Sequence, residues 1–326
     1  VVINCGALSE LPDMASFKKM VLEKYEQLQR VARAKKIHAF SGPVLLYPGP
    51  AGLLFHEAVG HRLEGSRLLS AGEGQTFKGQ EGKQIFSLPI TIRDNPLVKE
   101  HNGAKCIGSY TYDDEGTKAQ DTVLVEDGVL KGFLTTRAAL RKGRHHSNGH
   151  ARTKQHQRPI SRMAVTIIEG ENGESLDRLK VKLIQEIKRQ RKPFGMIVYE
   201  TNGGETDTTN YDFQAFSGDI SYATLLYPNG REVCVRGVNF VGTPLQSLSN
   251  IVAIGDSPEL DNGFCGAESG LIPISTIAPA VLVRNLELQG KDEELVTPSI
   301  LKRPQSLKRR KKPRQQRRKR RSRSDQ

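Results

Sequence analysis

Apolar positions along the chain change period several times, and each change predicts an element. Phe17, Met20, Val21, Tyr25, Leu28, Val31 and Ala32 recur at helical spacing behind Asp13, a residue suited to cap a helix, so residues 13–35 are expected to form an amphipathic helix. Pro43 to Tyr47 is a short apolar run that reads as a strand, and Pro48-Gly49-Pro50 turns it into the segment 51–65. From about Ile90 to Ile168 the pattern is one of short β-branched runs. Thr122 to Glu126 and Val129 to Leu134 flank Asp127-Gly128, a strong hairpin signal. Ser175 caps a second predicted helix reaching about Arg191, and a strand is expected at Gly195 to Glu200. A second hairpin is predicted from Tyr222 to Val238 around Pro228-Asn229-Gly230, followed by a short helix over Pro244 to Ile254 and a last strand over Ala280 to Leu288. Many strands with few helices predict an α+β fold of mainly antiparallel β-sheets, barrel-like or sandwiched.

Composition sharpens this picture at the ends. The 326 residues carry a formal charge of +13, but residues 302–326 hold fourteen Lys or Arg against one Asp, which leaves the remaining body neutral. Any attraction to polyanions therefore belongs to this tail, whose Lys, Arg, Gln, Pro and Ser cannot bury enough apolar area to fold. The tail has no aromatic residue for base stacking, so only nonspecific polyanion contact is expected of it. The sequence opens Val1-Val2-Ile3-Asn4 with no leader pattern, which reads as the continuation of something earlier, and no stretch approaches the roughly 18 apolar residues of a membrane span. Cys5, Cys106, Cys234 and Cys265 are scattered and form no CxxC pair, which fits a reducing cytoplasm better than a disulfide framework.

The chemistry concentrates in Leu53-Leu54-Phe55-His56-Glu57-Ala58-Val59-Gly60-His61, where two imidazoles flank a carboxylate on a predicted helix. This is a zinc-hydrolase pattern with one residue more than HExxH. A spacing of four places two side chains about 40° apart around a helix, whereas five places them about 140° apart. Convergence on one ion requires a π-bulge or a helix that ends near Gly60, a residue that permits unusual backbone. Given convergence, Glu57 is placed to take a proton from metal-bound water, and a third protein ligand is required. Residue chemistry alone leaves Glu64 and any of the four cysteines open for that position.

The string from His56 to Gly65 resembles the metal motif of the TldD/PmbA family, also described as modulators of DNA gyrase. Gly203-Gly204-Glu205-Thr206-Asp207, Val235-Arg236-Gly237-Val238 and Asp261-Asn262-Gly263-Phe264-Cys265-Gly266 are similar to three later segments of that family, in the same order over about Leu8 to Gly290. The resemblance implies a TldD-like active subunit that binds Zn2+ through His56, His61 and Cys265 and uses Glu57 as the catalytic base. It also implies hydrolysis of unfolded or modified polypeptides, beside a related PmbA-like subunit lacking the metal motif or beside a second copy. On this reading residues 1–40 are the remnant of an N-terminal α/β domain, 41–295 the metallopeptidase domain and 302–326 the disordered tail. Two departures stand out. The cysteine segment continues Ala267-Glu268-Ser269-Gly270 where the family has Gly-Gln at its end, and most of the preceding domain is missing. The alternative is a non-catalytic or truncated subunit that acts as a binding partner.

Outside the motif, His145, His146, His150 and His156 are expected in a mobile loop rather than a second metal site. That loop leads into Pro159-Ile160-Ser161-Arg162-Met163, similar to a family segment at the active site, which makes the loop a candidate lid. Glu205 and Asp207 are expected to brace a turn.

Overall fold

The computed structural model describes residues 2–70, 72, 75–138, 146–208 and 215–291, so the basic tail, His145 and residues 292–295 lie outside the described residues. Helix α1 (Met14–Arg33) starts at Asp13, whose carboxylate accepts from the Ser16 amide at 2.7 Å. It leads into β1 (Lys35–Lys36), β2 (Ala39–Leu46) and α2 (Pro48–Ala58), followed by two 3-10 turns, Gly60–Leu63 and Gly65–Leu69. Next come β3 (Ile90–Asp94), β4 (Glu100–His101), β5 (Ala104–Lys105), β6 (Thr122–Glu126), β7 (Val129–Leu130), β8 (Ala151–Arg152), β9 (Ile160–Ser161) and β10 (Val165–Gly170). Helix α3 (Leu176–Arg189) precedes β11 (Gly195–Thr206), β12 (Phe216–Leu226), β13 (Glu232–Arg236) and β14 (Val238–Gly242). The chain then adds α4 (Pro244–Ser249), β15 (Ile251–Ile254), β16 (Glu259–Ala267), β17 (Gly270–Ala278) and β18 (Val281–Gly290).

The fold is α+β, as expected, and the larger of its two main sheets closes on itself. Strand β11 pairs β2, β2 pairs β18, β18 pairs β14, β14 pairs β12 and β12 returns to β11, which makes a five-strand barrel; only the β11–β2 pairing within it is parallel. The other sheet runs β16-β17-β10-β3-β6-β7. Period-2 alternation explains how β2 can be apolar from Pro43 to Leu46. Val44 and Leu46 join Met196 and Val198 in the main core, while Leu45 and Ile197 face Leu179, Leu183 and Ile187 of α3 on the other side. A strand covered on both faces needs no polar side.

Helix α2 is the element that positions the chemistry. It is apolar nearly all round, its first turn holds Pro48 and Pro50, and it packs against β11 and β12 of the barrel as well as β16 and β17 of the other sheet. The helix thus fills the seam between the sheets. It ends at Ala58, as the histidine spacing demands, with Val59 at φ −121° and ψ −54°, before the 3-10 turn that carries His61.

The role of Gly60 differs from the expectation. It does not adopt a positive φ; instead, a Cβ there would lie 2.0 Å from Sδ of Met163, which is itself buried. Close packing, not backbone freedom, requires glycine. Gly60→Ala is therefore expected to destabilise the fold by about 1–3 kcal/mol through overpacking, measured by urea unfolding, with part of the loss recovered in a Gly60→Ala, Met163→Ala double variant.

Two segments depart from the sequence reading. Pro244 to Ile254 is a six-residue helix and then a strand, because Asn250 ends the helix and the β-branched Ile251-Val252-Ala253-Ile254 pairs with β18. Gly203 to Thr206 continues β11 rather than turning, since β12 pairs with it through Thr206. Helix α1 buries none of its residues and is held by Lys24 and Gln27, both bonded to the Glu200 carboxylate. No helix among the described residues is long and apolar enough to cross a membrane.

Candidate metal centre

His56 leaves the last turn of α2, His61 leaves the 3-10 turn after it, and Cys265 comes from β16 about two hundred residues later. Sγ of Cys265 lies 3.2 Å from Nε2 of His56 and 3.3 Å from Nε2 of His61, and all three donor atoms fall within 4.8 Å of one another. The imidazoles meet edge to face, their centroids 4.7 Å apart. All three residues are buried, and no other group of three such donors gathers among the described residues. Two imidazole nitrogens and a thiolate make a reasonable ligand set for a borderline-soft ion.

The His61 ring is held from behind. Nδ1 of His61 meets Oε2 of Glu64 at 3.1 Å, so Glu64 orients a donor and the convergent donor position belongs to Cys265. Glu64 has no solvent exposure, and Arg67 reaches the same oxygen through both Nε and Nη2 at 2.9 Å. Burial works against the Glu64 charge, but His61 and Arg67 hold the carboxyl down to about 2. Burial likewise opposes charge on Cys265, whose hydrogen bonds with His56 and His61 bring the thiol down to about 5. His61 is raised to about 10, because the Glu64 carboxylate and the Cys265 sulfur outweigh the cost of burying its charge. Both shifts favour the charged forms of this pair, so a metal ion taken up by the His61 nitrogen would displace a ring proton.

Glu57 points into a cleft of about 1150 Å³ that runs from α1 past the three donors to β16. Burial pushes its carboxyl up, against the neighbouring charges of His56, His61 and Arg62. Its backbone carbonyl accepts from Arg62 Nη1 at 2.5 Å, and the same guanidinium donates to Thr206 Oγ1 at 2.8 Å and to the Asp207 carbonyl at 3.3 Å. Arg62 thereby ties the helix end to β11. Gly204 makes that approach possible, since a Cβ on it would lie 2.6 Å from the Ser217 carbonyl and 3.1 Å from the Glu57 side chain.

Arg162, fully buried between β9 and β10, also belongs to the site, and only the likeness of its segment to the family's pointed there. It donates to the Cys265 carbonyl at 2.8 Å and faces Glu64 at 3.4 Å. The remaining histidines among the described residues do not join. His150 lies in the loop before β8 but is fully buried and fixed by Asp94 at 3.2 Å, a structural role rather than a mobile one, and none of the described residues 146–158 lines the cleft. Glu205 and Thr206 line the cleft, while Asp207 contributes its carbonyl to Arg62.

Residues 41–290, which hold this fold and cluster, match the family described as the PmbA/TldA metallopeptidase C-terminal domain. The chain belongs to that family. It is 34% identical over 257 residues to a metalloprotease of Archaeoglobus fulgidus, covering 77% of this chain and 55% of that one. It is 26% identical over 251 residues to the zinc metalloprotease TldD homolog of Saccharolobus solfataricus, covering 76% of this chain and 51% of that relative. The chain thus spans little more than half the length of these curated relatives. Its fold is shared with TldE from Thermococcus kodakarensis, with a TM-score of 0.61 at 20% identity over 84% of this chain and 55% of that one.

Proposed function

We propose that the chain is a zinc-dependent metallopeptidase domain, covering residues 41–295, in which His56, His61 and Cys265 hold the metal and Glu57 is the catalytic base. The observation that carries this reading is the convergence of three buried donors, from three separate elements, beside a carboxylate at the cleft surface. The relative named a zinc metalloprotease supports the choice of metal. When bound, zinc would polarise the scissile carbonyl and ease deprotonation of water.

The chain's own residues account for the rest. Glu57, its proton affinity raised by burial, takes a proton from the attacking water and passes it to the departing amine. Glu64 and Arg67 keep His61 in one orientation throughout. Strand β16 is the edge of its sheet and carries Cys265, so a peptide laid along it receives main-chain hydrogen bonds beside the donors with little demand on its sequence. That recognition suits unfolded or modified polypeptides as substrates. A related subunit lacking the metal motif, or a second copy, is the proposed partner, and the cytoplasm the proposed compartment.

Cleavage of a denatured protein by the purified full chain, followed by gel and mass spectrometry, tests the proposal. Turnover is expected to vanish on chelation and return with zinc. Turnover that persists in the thoroughly chelated protein would contradict it.

A further inference from the structure

The two sides of the donor cluster arrive on elements that share no covalent proximity, and the buried Arg162 reaches both. Arg162 has no solvent exposure. Its Nη2 donates to the Cys265 carbonyl at 2.8 Å, while Nη1 donates to Ser269 Oγ at 3.0 Å and the Gly270 carbonyl at 3.1 Å. These contacts span the two-residue turn, Glu268-Ser269, that joins β16 to β17. On the opposite side Nε lies 3.4 Å from Oε1 of Glu64, whose other oxygen holds His61. The Arg162 amide, in turn, donates to the His150 carbonyl at 3.0 Å, and His150 is anchored on Asp94.

We propose that Arg162 is a positioning residue for the metal centre, bridging the histidine side through Glu64 and the cysteine side through the Cys265 carbonyl, so that the three donors converge before the ion arrives. This rests on the metal reading of the site. A guanidinium suits the task because its planar fork presents several donors in fixed directions, and it keeps its charge when buried. A Lys ammonium, a point donor on a flexible stem, cannot span both sides at once. The Cys265 carbonyl is the informative partner. An arginine serving only to neutralise Glu64 would have no need to grip the backbone of the cysteine and the turn beyond it.

The test is zinc affinity of the full chain by competition with a chromophoric chelator, together with the thiolate-to-metal absorption band of the cobalt-substituted protein. Arg162→Ala is expected to weaken zinc binding by about 10–100-fold and to diminish the cobalt–thiolate band. Arg162→Lys is expected to fall between that variant and wild type. Arg152→Ala is the control: Arg152 is also buried, but it donates to the Met163 carbonyl at 2.8 Å and lies over the Tyr110 ring, so its loss lowers stability without moving metal affinity or the band. A folded Arg162→Ala that binds zinc as wild type does overturns the proposal. Where that variant does not fold, Arg162→Lys decides, and wild-type affinity in it overturns the proposal equally. A wild-type chain that binds no zinc overturns the metal reading and this bridge with it, an outcome distinct from unchanged affinity in the variants.

Discussion

Glu57→Gln is expected to lower peptide turnover by roughly a hundred- to ten-thousand-fold while leaving zinc content unchanged. The amide keeps the shape of the side chain, and so preserves its packing under β11 at Gly204, but it cannot accept the proton of the attacking water. The distinction matters because Glu57 sits beside His56, where a disruptive change would disturb a ligand as well as the base. Zinc content of the variant separates the two. Single-turnover assays should show the loss in kcat rather than in KM, since binding along β16 does not involve this carboxylate.

The second large effect is expected at Cys265. Cys265→Ala removes the thiolate and leaves two imidazoles facing a gap in a buried site, so zinc should be lost at micromolar concentration and turnover with it. The stability of the metal-free protein, by contrast, should change little. In the absence of zinc, the wild-type site holds a buried thiolate against a charged His61, and both charges incur the cost of desolvation. Alanine removes one of them, while the Glu64 carboxylate still balances the charge on His61. The metal-free variant is accordingly expected to match metal-free wild type in thermal unfolding to within about 1–2 kcal/mol, whereas zinc raises Tm only in wild type. A zinc-induced rise of similar size in both would remove Cys265 from the ligand set.

Much of the fold was legible from local signals. Asp13 and Ser175 cap helices where expected, and Asp127-Gly128 closes the hairpin it predicts. The signals failed where pairing decides conformation. Glu259 to Ala267 is polar and glycine-bearing and gives no strand signal, yet it forms nine pairs with β17 and places Cys265. Gly203-Gly204 reads as a turn but lies within β11 because β12 runs alongside it.

The candidate site divides in the same way. His56, Glu57 and His61 are legible as a motif because six consecutive positions carry them. Their five-residue spacing even requires the helix to stop, as it does at Ala58. Cys265 could be named only through family resemblance, since no periodicity links it to a motif more than two hundred positions earlier. The role of Glu64 depended on which ring nitrogen of His61 faces the cleft, which only the folded chain defines. Arg162 left the least trace, because a buried arginine looks like a surface one until its partners are known.

The most direct measurement is elemental analysis of the purified full chain, refolded with excess zinc and freed of unbound metal, in wild type, Glu57→Gln and Cys265→Ala. The account predicts about one zinc per chain in the first two and none in the third. A folded wild type without zinc, or full zinc retention in Cys265→Ala, would contradict it.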